Sequence, residues 1–113
     1  MQTRKLHELA KTIRSKNAGV DRITFDVIFR DRRTYDAVRR SGALSREAVL
    51  ALYGIPEARL TDFVEFDPAH AIKFTIARLR PSGSPGDPDI FGAQQYAPLL
   101  DIEVLLPENE PLV

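Results

Sequence analysis

The chain has 113 residues, equal numbers of basic and acidic side chains, and no cysteine. That length holds about one domain with a real core, and the cysteine count excludes disulfides and thiol chemistry. No apolar run approaches the roughly 20 residues of a membrane span, and no apolar stretch of a secretory signal follows Met1 to Lys5, so a cytoplasmic protein without membrane contact is expected.

The balanced charge is unevenly spread. Residues 1–59 hold 13 Lys and Arg against 7 Asp and Glu, and residues 60–113 hold 3 against 9. Such a split suits an anionic ligand or complementary partner at one end, or simple neutralisation across one fold. Nucleic acid is not an expected partner, because there is no basic excess and no aromatic-studded basic ribbon. His7 and His70 stand too far apart in sequence to suggest a metal cluster, and neither a metal nor a cofactor is expected.

In chain order, Leu6, Leu9, Ala10 and Ile13 fall at helical spacing and predict a short amphipathic helix over residues 4–14, with an extended strand as the alternative. It ends at Ser15 to Gly19, where Asn and Gly supply turn conformations. Residues 23–30 alternate as a strand, with Ile23, Phe25, Val27 and Phe29 on one face and Thr24, Asp26 and Arg30 on the other. Asp31 caps a helix over 32–41 that turns Tyr35 and Val38 inward and ends at Gly42. Ser45 caps a second helix with a Val49, Leu52 and Tyr53 stripe, stopped by Gly54 and Pro56.

Leu60 to Asp67 then reads as a strand with Val64 and Phe66 on one face, and Asp67 to His70 as a turn. Ala71 to Leu79 sets Ile72, Phe74 and Ile76 against Lys73 and Thr75, and Leu99 to Leu106 alternates as the closing strand. Residues 107–113 read as a loose tail. The whole is one domain, 1–113, of α+β class: a ferredoxin-like split βαβ sandwich with helices on one face of a four-stranded antiparallel sheet. In that order the strands holding Asp26 and Lys73 pair at the centre, so the two side chains form a cross-strand ion pair or, if Lys73 is buried enough, a catalytic pair.

Two segments are candidates for binding. Arg14, Ser15, Lys16 and Asn17 bring two cations, a hydroxyl and an amide before a glycine turn, which suits either an anion-binding lip or a solvated helix end. The Pro81 to Gly92 stretch is long and rich in Gly and Pro; its Ser82, Gly83, Ser84 and Gly86 offer backbone N–H groups to an anion, while Asp87 and Asp89 oppose one. Gly92, Gln94 and Gln95 follow, and each glutamine is able to hold a carboxyl or amide, or to bond the local backbone. Asp67 and His70 flank a turn as an acid/base pair or as ordinary surface groups. No Ser–His–Asp order and no paired catalytic carboxylates stand out.

Taken together, Arg14 to Gly19, Thr24 to Val27, Ala71 to Lys73, Ser82 to Asp87, Gly92 to Gln95 and Ala97 to Leu100 resemble the small bacterial domain of unknown function 4387 family, related to the ferredoxin-fold C-terminal domain of AtuA-like (acyclic terpene utilisation) proteins. The resemblance spans roughly residues 4–104. It implies a ferredoxin-like fold and an AtuA-like large subunit as partner. It also implies a role in acid or terpenoid catabolism, such as a hydratase/dehydratase or isomerase of a carboxylate or acyl-CoA. Lys73, Asp26 and Lys16 are the candidate catalytic residues, and the other segments above the candidate ligand or partner contacts. Tyr96 stands where relatives often have His, and Ala77 where they often have Pro. The other expectation is a non-catalytic module that forms homo-oligomers or a scaffold through its polar sheet face.

Overall fold

The computed structural model describes residues 2–78 and 96–108. Its elements run β1 (Gln2–Lys5), α1 (Leu6–Leu9), β2 (Ala10–Asn17), β3 (Arg22–Phe29), α2 (Arg32–Ser41), α3 (Arg46–Tyr53), β4 (Leu60–Phe66), β5 (Ala71–Ala77), α4 (Ala97–Leu100) and β6 (Glu103–Leu106). The class is α+β, with a four-stranded antiparallel sheet ordered β2-β3-β5-β4 and a two-stranded ribbon of β1 and β6.

The centre of the sheet follows from alternation. Ile23, Phe25, Val27 and Phe29 of β3 are all buried, as are Ile72, Phe74 and Ile76 of β5. Each fully buried side chain of this size contributes about 1.5–3 kcal/mol through lost contact with water. Phe25 stacks on Phe74 at 4.6 Å between ring centroids, and Tyr53 of α3 closes against both. Tyr35 of α2 meets Phe29 at 6.3 Å. Both helices therefore sit over one face of the sheet.

The helix boundaries are set by their caps. The Asp31 carboxylate accepts from the Thr34 N–H at 2.8 Å, and Ser45 Oγ accepts from the Ala48 N–H at 3.1 Å. Gly42 and Gly54 end the two helices with φ of 76° and 61°, in the left-handed region that only glycine enters without steric strain. In α3 the core contacts come from Val49, Leu50 and Tyr53, whereas Leu52, expected in the apolar stripe, is exposed.

Two expectations are corrected. Residues 4–14 are not one helix. Leu6 and Leu9 are buried by the single turn α1, the chain then turns extended, and residues 10–17 pair with β3. The Lys5 N–H bonds Glu8 Oε1 at 2.9 Å and the Leu6 N–H bonds the Ile102 carbonyl at 2.8 Å, which fixes the start of the short turn, and the Ala10 N–H closes it on the Leu6 carbonyl. Residues 99–106 are not one strand either: Leu99 and Leu100 finish the helical turn α4, and only 103–106 pair, with β1. In the sheet β3 is flanked by β2 and β5, and the last strand pairs with β1 instead. Residues 109–113 of the expected tail lie outside the described residues.

Val104 and Leu106 of the ribbon join Leu6, Leu9 and Leu99 in the same core as the sheet. Both edge strands carry a register shift, between Ala10 and Thr12 in β2 and between Leu60 and Asp62 in β4. Among the described residues no helix is long and apolar enough to cross a membrane.

Candidate functional site

The sheet face turned away from the helices carries three rows of side chains that run across all four strands. The middle row is Arg14, Asp26, Lys73 and Val64; one flanking row is Lys16, Thr24, Thr75 and Asp62; the other is Thr12, Ile28, Ala71 and Phe66. Alternation places them together, because residues two apart on a strand share a face and paired residues stand opposite.

Asp26 is the buried member of the middle row, with a side chain 9% exposed. Its Oδ2 accepts from Arg14 Nε at 3.0 Å, and its Oδ1 stands 4.0 Å from Lys73 Nζ. Arg14 and Lys73 are themselves well exposed, at 59% and 44% of their side chains. The Thr24 and Thr75 hydroxyls meet at 3.4 Å in the next row. Phe66 lies beside Lys73, with Nζ 5.5 Å from the ring centroid, and both Phe66 and Val64 are exposed. The face thus sets one buried carboxylate between two exposed cations, with the threonine hydroxyls and the exposed Val64 and Phe66 beside them.

Four of the residues singled out from sequence, Arg14, Lys16, Asp26 and Lys73, thus meet on one face although they come from three strands. Their setting differs from the helix end expected for Arg14 to Asn17, which is strand β2. Ser15 and Asn17 point elsewhere. Ser15 is buried and its Oγ accepts from the Tyr96 N–H at 3.1 Å; Asn17 Oδ1 accepts from Arg78 Nη1 at 2.8 Å. Ser82, Gly83, Ser84, Gly86, Asp87, Gly92, Gln94 and Gln95 lie outside the described residues. The described residues on either side of that segment, Arg78 and Tyr96, are both tied to β2.

A second polar cluster went unread in the sequence. Tyr35, fully buried, donates its hydroxyl to Asp67 Oδ1 at 2.7 Å. Arg39 and Arg32 lie over the Tyr35 ring at 5.1 and 5.6 Å, and Arg39 reaches Asp36, Glu65 and Asp67. Burial, then the Asp67 hydrogen bond, push the Tyr35 phenol from 10.0 up to about 12, while the same bond and the two arginines hold Asp67 below its ordinary value. The Tyr35–Asp67 bond fastens α2 to the β4–β5 turn, on which His70 also stands near Asp67. The i, i+4 spacing of Arg32 and Asp36 was the signal available for part of this cluster.

Among the described residues no group of three or more His, Asp or Glu side chains is arranged to hold a metal ion. The fold and site define a small α+β domain with one sheet face covered by helices and the other open, crossed by an ion-paired row. The chain belongs to the family described as Domain of unknown function (DUF4387), which matches residues 6–103. No curated protein and no solved structure matches it.

Proposed function

We propose that this chain is a small accessory subunit whose open sheet face completes a carboxylate or acyl-CoA site on a larger AtuA-like protein. The reaction of that pair is a hydration/dehydration or isomerisation in acid or terpenoid catabolism. One observation carries the reading: Arg14, Lys16, Asp26 and Lys73 share a face that the helices leave open. A flat face of this kind supplies charge and contact but little enclosure, and enclosure is what a second protein adds. The run β3, α2, α3, β4, β5, with β3 and β5 paired at its centre, suits the ferredoxin-like kinship that the resemblance implies.

The test is co-expression with the large AtuA-like protein, followed by turnover of acid and acyl-CoA substrates with and without this chain. Turnover is expected to need both, and Lys16→Glu with Lys73→Glu is expected to reduce it more than tenfold, about 1.4 kcal/mol or more. A large protein fully active alone and indifferent to these variants sinks the reading. The exposed Val64 and Phe66 favour a second one, a self-associating scaffold. It predicts a stable homodimer in light scattering that Phe66→Glu dissociates.

A further inference from the structure

The open face is graded along its strands, and the gradient has the chemistry of a particular ligand. At one end stand the Thr24 and Thr75 hydroxyls with Lys16; the middle row holds the Arg14–Asp26–Lys73 charges; the far row, Ile28, Ala71 and Phe66, is apolar apart from Thr12. Asp26 is not the group that receives a ligand, because Arg14 Nε already holds it at 3.0 Å. Lys73, at 4.0 Å from the other oxygen, sits at the limit of an ion pair and exposes 44% of its side chain. Its ammonium has three donors and a loose partner. Its Nζ lies over the Phe66 ring, 5.5 Å from the centroid, and Phe66 is 43% exposed, so open hydrocarbon adjoins the cation directly.

We infer that this face binds an amphipathic monocarboxylate lying along β3 and β5, its carboxylate on Lys73 and its hydrocarbon over Ile28 and Phe66. The inference rests on the accessory-site reading and narrows its ligand. Successive rows on one face lie about 7 Å apart, the reach of a carboxylate with about five carbons behind it. Charge also selects. Within the three rows Arg14, Lys16 and Lys73 oppose Asp26 and Asp62, which leaves one positive charge to be met. A singly charged acid matches that surplus, and a phosphate dianion overshoots it beside two fixed carboxylates.

The experiment is a titration of the isotope-labelled full chain, followed by NMR, with hexanoate, hexan-1-ol, acetate and inorganic phosphate. Hexanoate is expected to bind with a dissociation constant of about 1–10 mM and to shift signals of Ile28, Phe66 and Lys73. The alcohol, which lacks the charge, and acetate, which lacks the chain, are expected to bind about tenfold more weakly. Lys73→Met is expected to lose about tenfold in hexanoate affinity and Lys73→Arg to keep it, both with an unchanged spectral spread that shows the fold intact. Phe66→Ala is expected to weaken hexanoate and not acetate.

Equal binding of the alcohol and the acid, a preference for phosphate, or shifts confined to other parts of the chain each overturn the inference. The two levels separate cleanly. If the large protein needs this chain while hexanoate leaves the face untouched, the ligand assignment falls and the accessory reading stands. If hexanoate binds as described and the large protein works alone, the accessory reading falls.

Discussion

Asp26 on β3 and Lys73 on β5 stand directly opposite each other at the centre of the sheet, and Arg14 on β2 completes the row from the other side. Asp26 is the only anion between the two cations in this row. Its removal leaves Arg14 and Lys73 facing a buried gap with no counter-charge. Asp26→Asn is expected to destabilise the domain by about 1–2 kcal/mol, toward the low end because both cations are solvated. Urea unfolding checks this. A double variant, Asp26→Asn with Arg14→Met, recovers part of the loss if the ion pair is its source.

The Tyr35–Asp67 bond predicts a pH signature. Tyr35 ionises at about 12 in the fold against 10.0 unperturbed, so between those values the folded state holds a proton that the unfolded state has released. Its contribution is fully present below pH 10 and is lost as pH rises toward about 12. Tyr35→Phe is expected to lower the urea midpoint at neutral pH and to remove this alkaline step. An unchanged step in the variant assigns it to another group.

Asp31 gives the opposite signature at the acid end. The Thr34 backbone hydrogen bond holds its carboxyl below the ordinary 3.8, so the stabilisation is present above that value and is lost as pH falls through the lower, folded one. Asp31→Ala is expected to cost about 1 kcal/mol at pH 7, and Asp31→Asn far less, since asparagine caps about as well. Thermal melts at pH 7 and pH 3 separate the two variants: the alanine penalty shrinks at the lower pH.

His70 ends the β4–β5 turn with φ of 51°, and among the described residues it is the non-glycine residue in the left-handed region. Its carbonyl accepts from the Phe29 N–H at 2.9 Å, which holds that conformation in place. His70→Gly is expected to stabilise by up to about 1 kcal/mol, and His70→Val, branched at Cβ, to destabilise by about 1–2 kcal/mol. Denaturation midpoints of the pair decide whether backbone strain or the His70 ring against Tyr35 dominates.

How much of this was legible depends on where each segment gets its partner. The β3 alternation, the capped helices α2 and α3, and the opposition of Asp26 and Lys73 are local patterns, or follow once two strands are paired. Strand β2 is different. Thr12, Arg14 and Lys16 make it polar on its open face, so its strand character comes from the β3 ladder and is nearly silent in its own residues. Leu6 and Leu9 fit a longer helix equally well, and that helix stops after one turn because Ala10 turns extended and pairs with Phe29 of β3. Phe66 and Val64 look like core in sequence; the register with Ala71 and Lys73 turns them outward. The Tyr35–Asp67 bond spans 32 residues and has no sequence spacing to announce it.

The pairing of β1 with β6 has a kinetic side. Gln2 bonds the Pro107 carbonyl across 105 residues, so the ribbon closes the longest loop among the described contacts. The hairpin of β4 and β5 and the helices α2 and α3 need only short-range closure. The ribbon must overcome the largest loop-closure entropy of these contacts before its first hydrogen bond forms, although that cost grows only slowly with length. Until then Leu6, Leu9, Leu99, Val104 and Leu106 lack their cover. Early pairing of the central hairpin and late sealing of the ends is the folding order expected from this topology, and hydrogen-exchange pulse labelling of Gln2–Lys5 against Ala71–Ala77 checks it.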